Sequence, residues 1–171
     1  MKTRNMVLCA FFASVMAMCA WLSVPGQVAF TLQTFGVLLT LGLLGGKRGC
    51  VSILLYLLLG CVGLPVFSGF QGGIGVLLGV SGGYLWGFLV CALVYWLVTA
   101  LLPGRLFLGM LSGLAACYVC GTAWVLIAYA GGRSFGAVVL TFCLPYLLPD
   151  CLKLLLAWLL TLKLKAVCVR L

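Results

Sequence analysis

The sequence is almost free of acidic side chains. Among 171 residues there is one carboxylate side chain, Asp150, and charged residues of both signs make up only 6% of the chain. Soluble domains carry about 25% charged residues, so water is excluded as the main solvent of this chain. No stretch is polar enough and long enough to form a soluble catalytic domain. We therefore predict an integral membrane protein with a single membrane domain over residues 1–171.

Histidine is absent, and so are the motifs of nucleotide-binding proteins. Without G-x-x-x-x-G-K-[ST] or a Walker-type acid, the chain has no nucleotide site of its own. Cys117 and Cys120 form a CxxC, which leaves a membrane thiol oxidoreductase open as an alternative function. The motif lies within an apolar segment and has no second pair at zinc-site spacing, which favours a packing role. We predict no enzymatic activity, cofactor or metal.

The positive charges form no basic stripe, although the net charge is +9. Nucleic-acid binding is therefore not predicted. Most of the Lys and Arg residues lie at the ends of apolar segments. If the N-terminus is inside, eight of them fall on the inner side and only Arg133 falls on the outer side, as the positive-inside rule requires. This pattern predicts six spans with both termini in the cytoplasm.

Six apolar segments are predicted to be the helices of an all-α bundle. Their approximate bounds are 6–22, 33–45, 49–64, 83–102, 106–130 and 138–162. Helices rise about 1.5 Å per residue, so the second and third barely cross a hydrocarbon core of roughly 30 Å. We expect these two to be tilted, broken or shallow. The first follows Lys2 and Arg4 like a signal peptide, but its length favours a retained helix.

A long glycine-rich loop, residues 63–83, is predicted between the third and fourth helices on the outer side. It holds eight of the 23 glycines of the chain. A connection of this length is usually functional or disordered, and this one is too apolar for disorder. We therefore expect the glycine-rich loop to cover the bundle as a lid.

Asp150 and Lys153 are predicted to form the functional site. A carboxylate within a membrane helix is costly, so it normally faces the bundle interior and serves a function. The i, i+3 spacing places both side chains on one helix face. Pro145 and Pro149 disturb the first turns of the same helix, which indicates an outward-facing pocket beneath the lid. The alternatives are an ion pair that only orients the helix, and a structural membrane bundle without a ligand.

Four strings in the sequence together carry a specific resemblance: FTLQTFGVLL, LLYLLLGCVGLPVF, GGYLWGF and LPYLLPDCLK. They resemble the BioY family, the biotin-specific substrate-binding (S) components of energy-coupling-factor (ECF) transporters, and the likeness extends from about residue 10 to residue 160. The resemblance implies a six-helix bundle in the bacterial cytoplasmic membrane that binds biotin in an outward-facing site. It also implies a membrane coupling subunit and two ATPase subunits as partners, although some members of the family occur without them.

The resemblance also assigns roles to particular residues. The family's D-x-x-K, which contacts biotin, falls on Asp150 and Lys153. Its A-x-x-x-A row, which docks the coupling subunit, falls on Ala13 and Ala17 of the first helix. Residues 148–149 are Leu-Pro where the family commonly has Pro-Gly, which could alter the entrance to the pocket.

The chemistry of biotin adds further candidates for the site. A carboxylate suits the two ureido N–H groups, and an ammonium suits the ureido carbonyl or neutralises the carboxylate. The apolar body of the ligand needs an aromatic wall, for which the candidates are Tyr84, Trp86, Tyr146, Phe67 and Phe70. The biotin carboxylate needs a donor near the outer surface, and Gln71, the amides of the glycine-rich loop and Arg133 are candidates for it.

Overall fold

The computed structural model describes residues 3–24, 30–129, 131–132 and 134–168, with no side-chain description for 166–168. The helices of this described part are α1 Thr3–Trp21, α2 Gln33–Leu44, α3 Gly46–Cys61, α4 Ile74–Leu78, α5 Gly82–Leu101, α6 Leu106–Ala128, α7 Phe135–Phe142 and α8 Leu144–Cys168. A short antiparallel hairpin of β1 Ser23–Val24 and β2 Phe30–Thr31 connects α1 to α2. The prediction of an all-α fold is confirmed, apart from this hairpin, which the sequence did not indicate.

A helix occupies each of the six apolar segments, and the last segment is broken into two helices. α7 and α8 are bent by 44° relative to each other at Cys143. Pro145 lies in the first turn of α8, where the missing N–H of proline is tolerated, and Pro149 lies inside the helix. By length and composition, three helices (α1, α5 and α6) can cross a membrane, and the bent α7–α8 pair makes four. α2, with 12 residues, is shorter than a span.

The tightest helix pair is formed by α5 and α6, and small residues make it possible. A Cβ atom on Gly113 would lie 2.8 Å from the carbonyl oxygen of Cys91, and one on Gly87 would lie 3.0 Å from that of Cys117. Neither backbone could approach so closely with a larger residue at these positions. Such close approach is the usual means of helix association in membranes.

The small side chains of α1 face the interior of the bundle. Ala13 is 1% exposed and Ala17 is 6% exposed, on the side of α1 that packs against α2 and α3. On the same side, the Ser52 hydroxyl of α3 donates a hydrogen bond of 2.8 Å to the carbonyl oxygen of Cys9. The structure therefore departs from the predicted docking role of Ala13 and Ala17, because neighbouring helices of the same chain already cover them.

The glycine-rich loop packs on the bundle through part of its apolar residues. Phe67 and Leu77 are almost fully buried. The Phe67 ring lies edge-on to Tyr56, with 5.5 Å between the ring centroids, and covers Gly60 so closely that a Cβ atom there would collide with it. Phe70, in contrast, remains exposed. The loop thus covers part of the bundle, as expected, through Phe67 and Leu77.

Aromatic side chains hold the glycine-rich loop by its backbone. Three tryptophans donate through Nε1 to backbone carbonyls of the loop: Trp21 to Pro65 at 2.8 Å, Trp86 to Leu77 at 3.2 Å and Trp124 to Gly79 at 3.1 Å. Two tyrosine hydroxyls do the same, from Tyr56 to the carbonyl of Val66 at 2.9 Å and from Tyr129 to that of Leu78. We call these five donors the aromatic clamp. They come from α1, α3, α5 and the C-terminal part of α6, and they satisfy carbonyl groups of an irregular segment whose burial would otherwise be costly.

Candidate functional site

A cavity of about 330 Å³ lies between the hairpin, the glycine-rich loop and the helices. Its volume is at the lower end of the range of about 300–1,000 Å³ that is typical of small-molecule sites. The lining residues come from β1 and β2, from α2, α5, α6, α7 and α8, and from the loop. Six of the predicted ligand-binding residues are among them: Asp150, Lys153, Tyr84, Tyr146, Gln71 and Phe67.

Asp150 and Lys153 form a buried ion pair in the cavity wall. They lie one turn apart on α8 and are 7% and 5% exposed. Lys153 Nζ is 2.6 Å from Asp150 Oδ1. At this distance the contact is a charge-assisted hydrogen bond as well as an ion pair. The pair therefore presents a hydrogen-bond acceptor and a hydrogen-bond donor to a ligand, while the net charge of the two side chains is zero.

The Lys153 ammonium also contacts the hairpin. Nζ donates a second hydrogen bond to the backbone carbonyl of Thr31 at 2.7 Å, and it lies 4.1 Å from the centroid of the Phe30 ring. An ammonium has three N–H donors, and a nearby ring face attracts it further. The hairpin is thereby fixed to the ion pair, although 122 residues of sequence separate Thr31 from Lys153.

The Asp150 carboxylate is held by two hydroxyl donors in addition to Lys153. The Tyr118 hydroxyl donates to Oδ2 at 2.7 Å, and the Thr34 hydroxyl approaches the same oxygen at 3.4 Å. A carboxylate offers roughly four lone-pair sites, and three of them are engaged here. The carboxylate is therefore fixed in orientation and retains room for one further donor.

Aromatic rings form much of the remaining wall. Tyr84 and Tyr118 pack edge to face with 6.1 Å between the ring centroids, and the Tyr84 hydroxyl donates to the carbonyl of Phe142 at 2.8 Å. Phe67 and Phe88 also line the cavity. Such rings provide apolar contact area, and Tyr84 has its polar end satisfied by the protein. The wall thus suits the apolar part of a ligand next to a single polar position.

Among the described residues, two of the predicted ligand-binding residues, Trp86 and Phe70, do not line the cavity. Trp86 is half exposed and belongs to the aromatic clamp. Phe70 is exposed and stacks on Trp21, with 5.1 Å between the centroids. Arg133 lies outside the described residues.

Polar groups also line the cavity beside the glycine-rich loop. Ser68 and Gln71 come from the loop, and Ser23 comes from the hairpin. The amide N–H of Phe67 donates to the carbonyl of Gln71 at 2.9 Å, which fixes the backbone of this turn. These side chains provide donors for a second polar group of a ligand.

Comparison with known proteins identifies the family. The model of the BioY family matches residues 1–170. The chain belongs to the BioY family. It is 36% identical over 165 residues to the biotin transporter BioY of Thermotoga maritima, covering 95% of this chain and 96% of that protein. The probable biotin transporter BioY of Pyrococcus horikoshii is 37% identical over 155 residues, covering 90% of this chain and 91% of that protein.

A solved structure shares the BioY fold described above. It is the crystal structure at 2.1 Å of the S-component for biotin from an ECF-type ABC transporter, and it matches with a TM-score of 0.87. The match covers 96% of this chain and 92% of the other, at 24% sequence identity. The resemblance to the BioY family that the sequence strings indicated is confirmed.

Four residues that contact the Asp150–Lys153 pair were missed by the sequence analysis: Tyr118, Phe30, Thr31 and Thr34. Tyr118 occurs in an apolar stretch of α6 beside the CxxC, where no local pattern marks it. Phe30, Thr31 and Thr34 all lie within the FTLQTFGVLL string, which was used only to recognise the family. That string could have indicated a site, because it combines a polar run with the start of a membrane helix.

The Leu148-Pro149 pair leaves Asp150 inside the cavity. Pro149 precedes Asp150 within α8, and the helix continues through both residues. Leu148 is strongly exposed and so faces away from the bundle. The departure from the common BioY pattern therefore changes the outer surface of α8 while the carboxylate stays in the cavity lining.

The CxxC of α6 is divided between two environments. Cys117 is buried, lines the cavity and donates a weak hydrogen bond of 3.6 Å to the carbonyl of Tyr84. Cys120 is partly buried. Over the residues with described side chains, the cysteines are free thiols, and no group of His, Cys, Asp and Glu could hold a metal ion.

Proposed function

We propose that this BioY protein captures biotin and takes part in its uptake across the membrane. The observation that carries the proposal is the Asp150–Lys153 ion pair in the wall of a ligand-sized cavity. The curated relatives, which are named as biotin transporters, give the same indication. A thiol oxidoreductase is not favoured, because Cys117 is buried and hydrogen-bonded and the relatives are named as biotin transporters.

Biotin presents a ureido ring, a sulfur-containing apolar body and a chain that ends in a carboxylate. In the proposed mode of binding, Asp150 accepts a ureido N–H and Lys153 donates to the ureido carbonyl. Both are charge-assisted hydrogen bonds in a site that excludes most water, where such bonds are strong. Tyr84 and Tyr146 flank the apolar body, and Gln71 donates to the carboxylate of the ligand. Loop amides and Arg133 are further donors for that carboxylate.

The cavity faces the outside in the proposed topology. Its lining comes from the hairpin after α1, the first turns of α2, α5 and α8, and the loop after α3. Successive spans run in opposite directions, and α7 and α8 count as one broken span. The ends of the first and third spans and the beginnings of the second, fourth and sixth therefore lie on one side of a bundle of six spans. The positive-inside rule places both termini in the cytoplasm and this side outside.

The energy for uptake comes from partners in this proposal, because the sequence has no P-loop. The solved relative in fold is an S-component from an ECF-type ABC transporter. We propose that the chain works in the bacterial cytoplasmic membrane with a coupling subunit and two ATPase subunits. Its contact with the coupling subunit uses a surface other than Ala13 and Ala17, which α2 and α3 cover.

Calorimetric titration of the detergent-solubilised protein with biotin tests the proposed function. Wild type is expected to bind tightly, and Lys153→Met and Asp150→Asn are each expected to weaken binding about 10-fold to 100-fold, because a hydrogen bond to a charged group contributes about 1.5–3 kcal/mol. Lys163→Met is the matched control, since Lys163 lies on the exposed face of the same helix. A folded wild-type protein that does not bind biotin would contradict the proposal.

A further inference from the structure

The two oxygens of the Asp150 carboxylate are held by chemically different groups. Oδ1 is bound by the charged Lys153 at 2.6 Å, and Oδ2 accepts a hydrogen bond from the neutral Tyr118 hydroxyl at 2.7 Å. Thr34 contacts Oδ2 at 3.4 Å, which is beyond the usual 2.5–3.0 Å of an O–H···O bond. Tyr118 is therefore the principal donor to Oδ2.

Tyr118 is itself held in position by its neighbours. Its ring is buried on α6 and packs edge-on against Tyr84, whose hydroxyl is anchored on Phe142. Gly121 allows the Tyr84 ring to lie directly on α6, since a Cβ atom there would be 2.4 Å from the ring. A side chain that is fixed in this way can orient the group to which it donates.

We infer that Tyr118 is a positioning residue that makes the site selective for a neutral cyclic urea over a cationic analogue, an inference that rests on the proposed binding of biotin. Lys153, Tyr118 and Thr34 together leave the carboxylate short of one donor only, which a neutral ureido N–H supplies. Without the Tyr118 hydroxyl, Oδ2 loses its best hydrogen-bond donor, and one ureido N–H is then too few donors to satisfy the carboxylate. A cyclic guanidinium compensates better for the lost donor, because it brings a positive charge and another N–H.

The test compares three ligands by calorimetry in wild type and Tyr118→Phe. Biotin and dethiobiotin share the cyclic urea and differ in the sulfur ring, whereas 2-iminobiotin carries a cyclic guanidinium. We expect Tyr118→Phe to weaken biotin and dethiobiotin by the same factor of about tenfold or more, as the loss of a hydrogen bond to a charged group predicts. The affinity for 2-iminobiotin should fall less than about threefold, because its charge compensates for the missing donor.

The matched control is Tyr95→Phe on α5. Tyr95 is buried but is not among the cavity-lining residues, so all three affinities should remain at wild-type values. An equal loss for all three ligands in Tyr118→Phe would indicate a packing defect and overturn the inference, as would no loss at all.

If Tyr118→Phe does not fold, Thr34→Val removes the other hydroxyl near Oδ2. It should shift the ratio of biotin to 2-iminobiotin affinity in the same direction by a smaller factor, and an unchanged ratio overturns the inference.

The two proposals fail in different ways in these experiments. If folded wild type binds none of the ligands, the proposed function fails and the role of Tyr118 fails with it. If wild type binds biotin and Asp150→Asn does not, but Tyr118→Phe has the affinities of wild type, only the role of Tyr118 is overturned.

Discussion

The buried ion pair gives the sharpest prediction for stability. Asp150→Asn leaves the Lys153 ammonium without an opposite charge, with only neutral partners such as the Thr31 carbonyl and the Phe30 ring. Lys153→Met leaves the carboxylate with its hydroxyl donors only. Removal of one partner from a buried ion pair costs about 3–5 kcal/mol, because the other charge stays in a medium that solvates it poorly. We expect each single variant to lose stability of this order.

The double variant Asp150→Asn/Lys153→Met should be more stable than either single variant. It leaves no unpaired charge in the cavity wall, and replacement of a buried pair by uncharged groups is often neutral or stabilising. Contacting residues usually show a coupling energy of roughly 0.5–3 kcal/mol, and the coupling between these two positions should be near or above the upper end of that range. Lys163→Met is the control and should leave stability within about 0.5 kcal/mol of wild type, as is usual for exposed positions.

The double-mutant cycle of wild type, the two single variants and the double variant is measured by unfolding in mixed micelles, followed by tryptophan fluorescence with and without biotin. Biotin at 100 times the wild-type Kd should stabilise wild type by about 2.7 kcal/mol, whereas the double variant should gain about 0.4 kcal/mol or less, because its affinity is about 100-fold lower or more if the two losses add. This contrast separates stability from binding, because the double variant is folded and yet hardly responds to the ligand. A double variant that loses the sum of the two single losses would refute the reasoning, since the two charges would then act independently.

Three further changes test the loop and the CxxC. Trp86→Phe removes one donor of the aromatic clamp, worth about 0.5–1.5 kcal/mol, so release of labelled biotin should accelerate about twofold to tenfold, and an unchanged rate would show that the clamp does not restrain the loop. Gly60→Ala should destabilise the protein by about 1–3 kcal/mol in the same unfolding assay, because its Cβ atom would displace the Phe67 ring. Cys120→Ser should leave biotin affinity within about twofold of wild type, and loss of binding would reopen a role for the CxxC in function.

The sequence predicted the features that depend on local pattern. Apolar runs of helical length placed the helices, because a membrane requires every backbone group to be paired within its own segment. The proximity of Asp150 and Lys153 followed from their spacing of three residues on one helix. The break before α8 was also foreseeable, since two prolines lie close together at its start.

Features that depend on packing between distant segments could not be predicted in this way. The contact of Tyr118 with Asp150 spans 32 residues of sequence, and that of Thr31 with Lys153 spans 122. The buried face of α1 was equally hidden, because this helix is apolar on all sides and its sequence does not show which side meets α2 and α3. Trp86 and Phe70 were assigned to the cavity for the same reason: the sequence does not show whether an aromatic side chain in or beside the glycine-rich loop faces the ligand or another part of the protein.

The neutrality of the ion pair bears on what the cavity can select. Well-packed hydrophobic residues of similar volume are often as stabilising as a buried ion pair or more so, which suggests that this pair has a role other than stability. A lone carboxylate would attract cations and a lone ammonium would attract anions, whereas the pair attracts neither strongly. It does offer a strong acceptor and a strong donor 2.6 Å apart, which suits a neutral group that carries N–H and C=O side by side. A cyclic urea has this arrangement, and in the proposed site Tyr118, which donates to Oδ2, keeps the carboxylate oriented toward it.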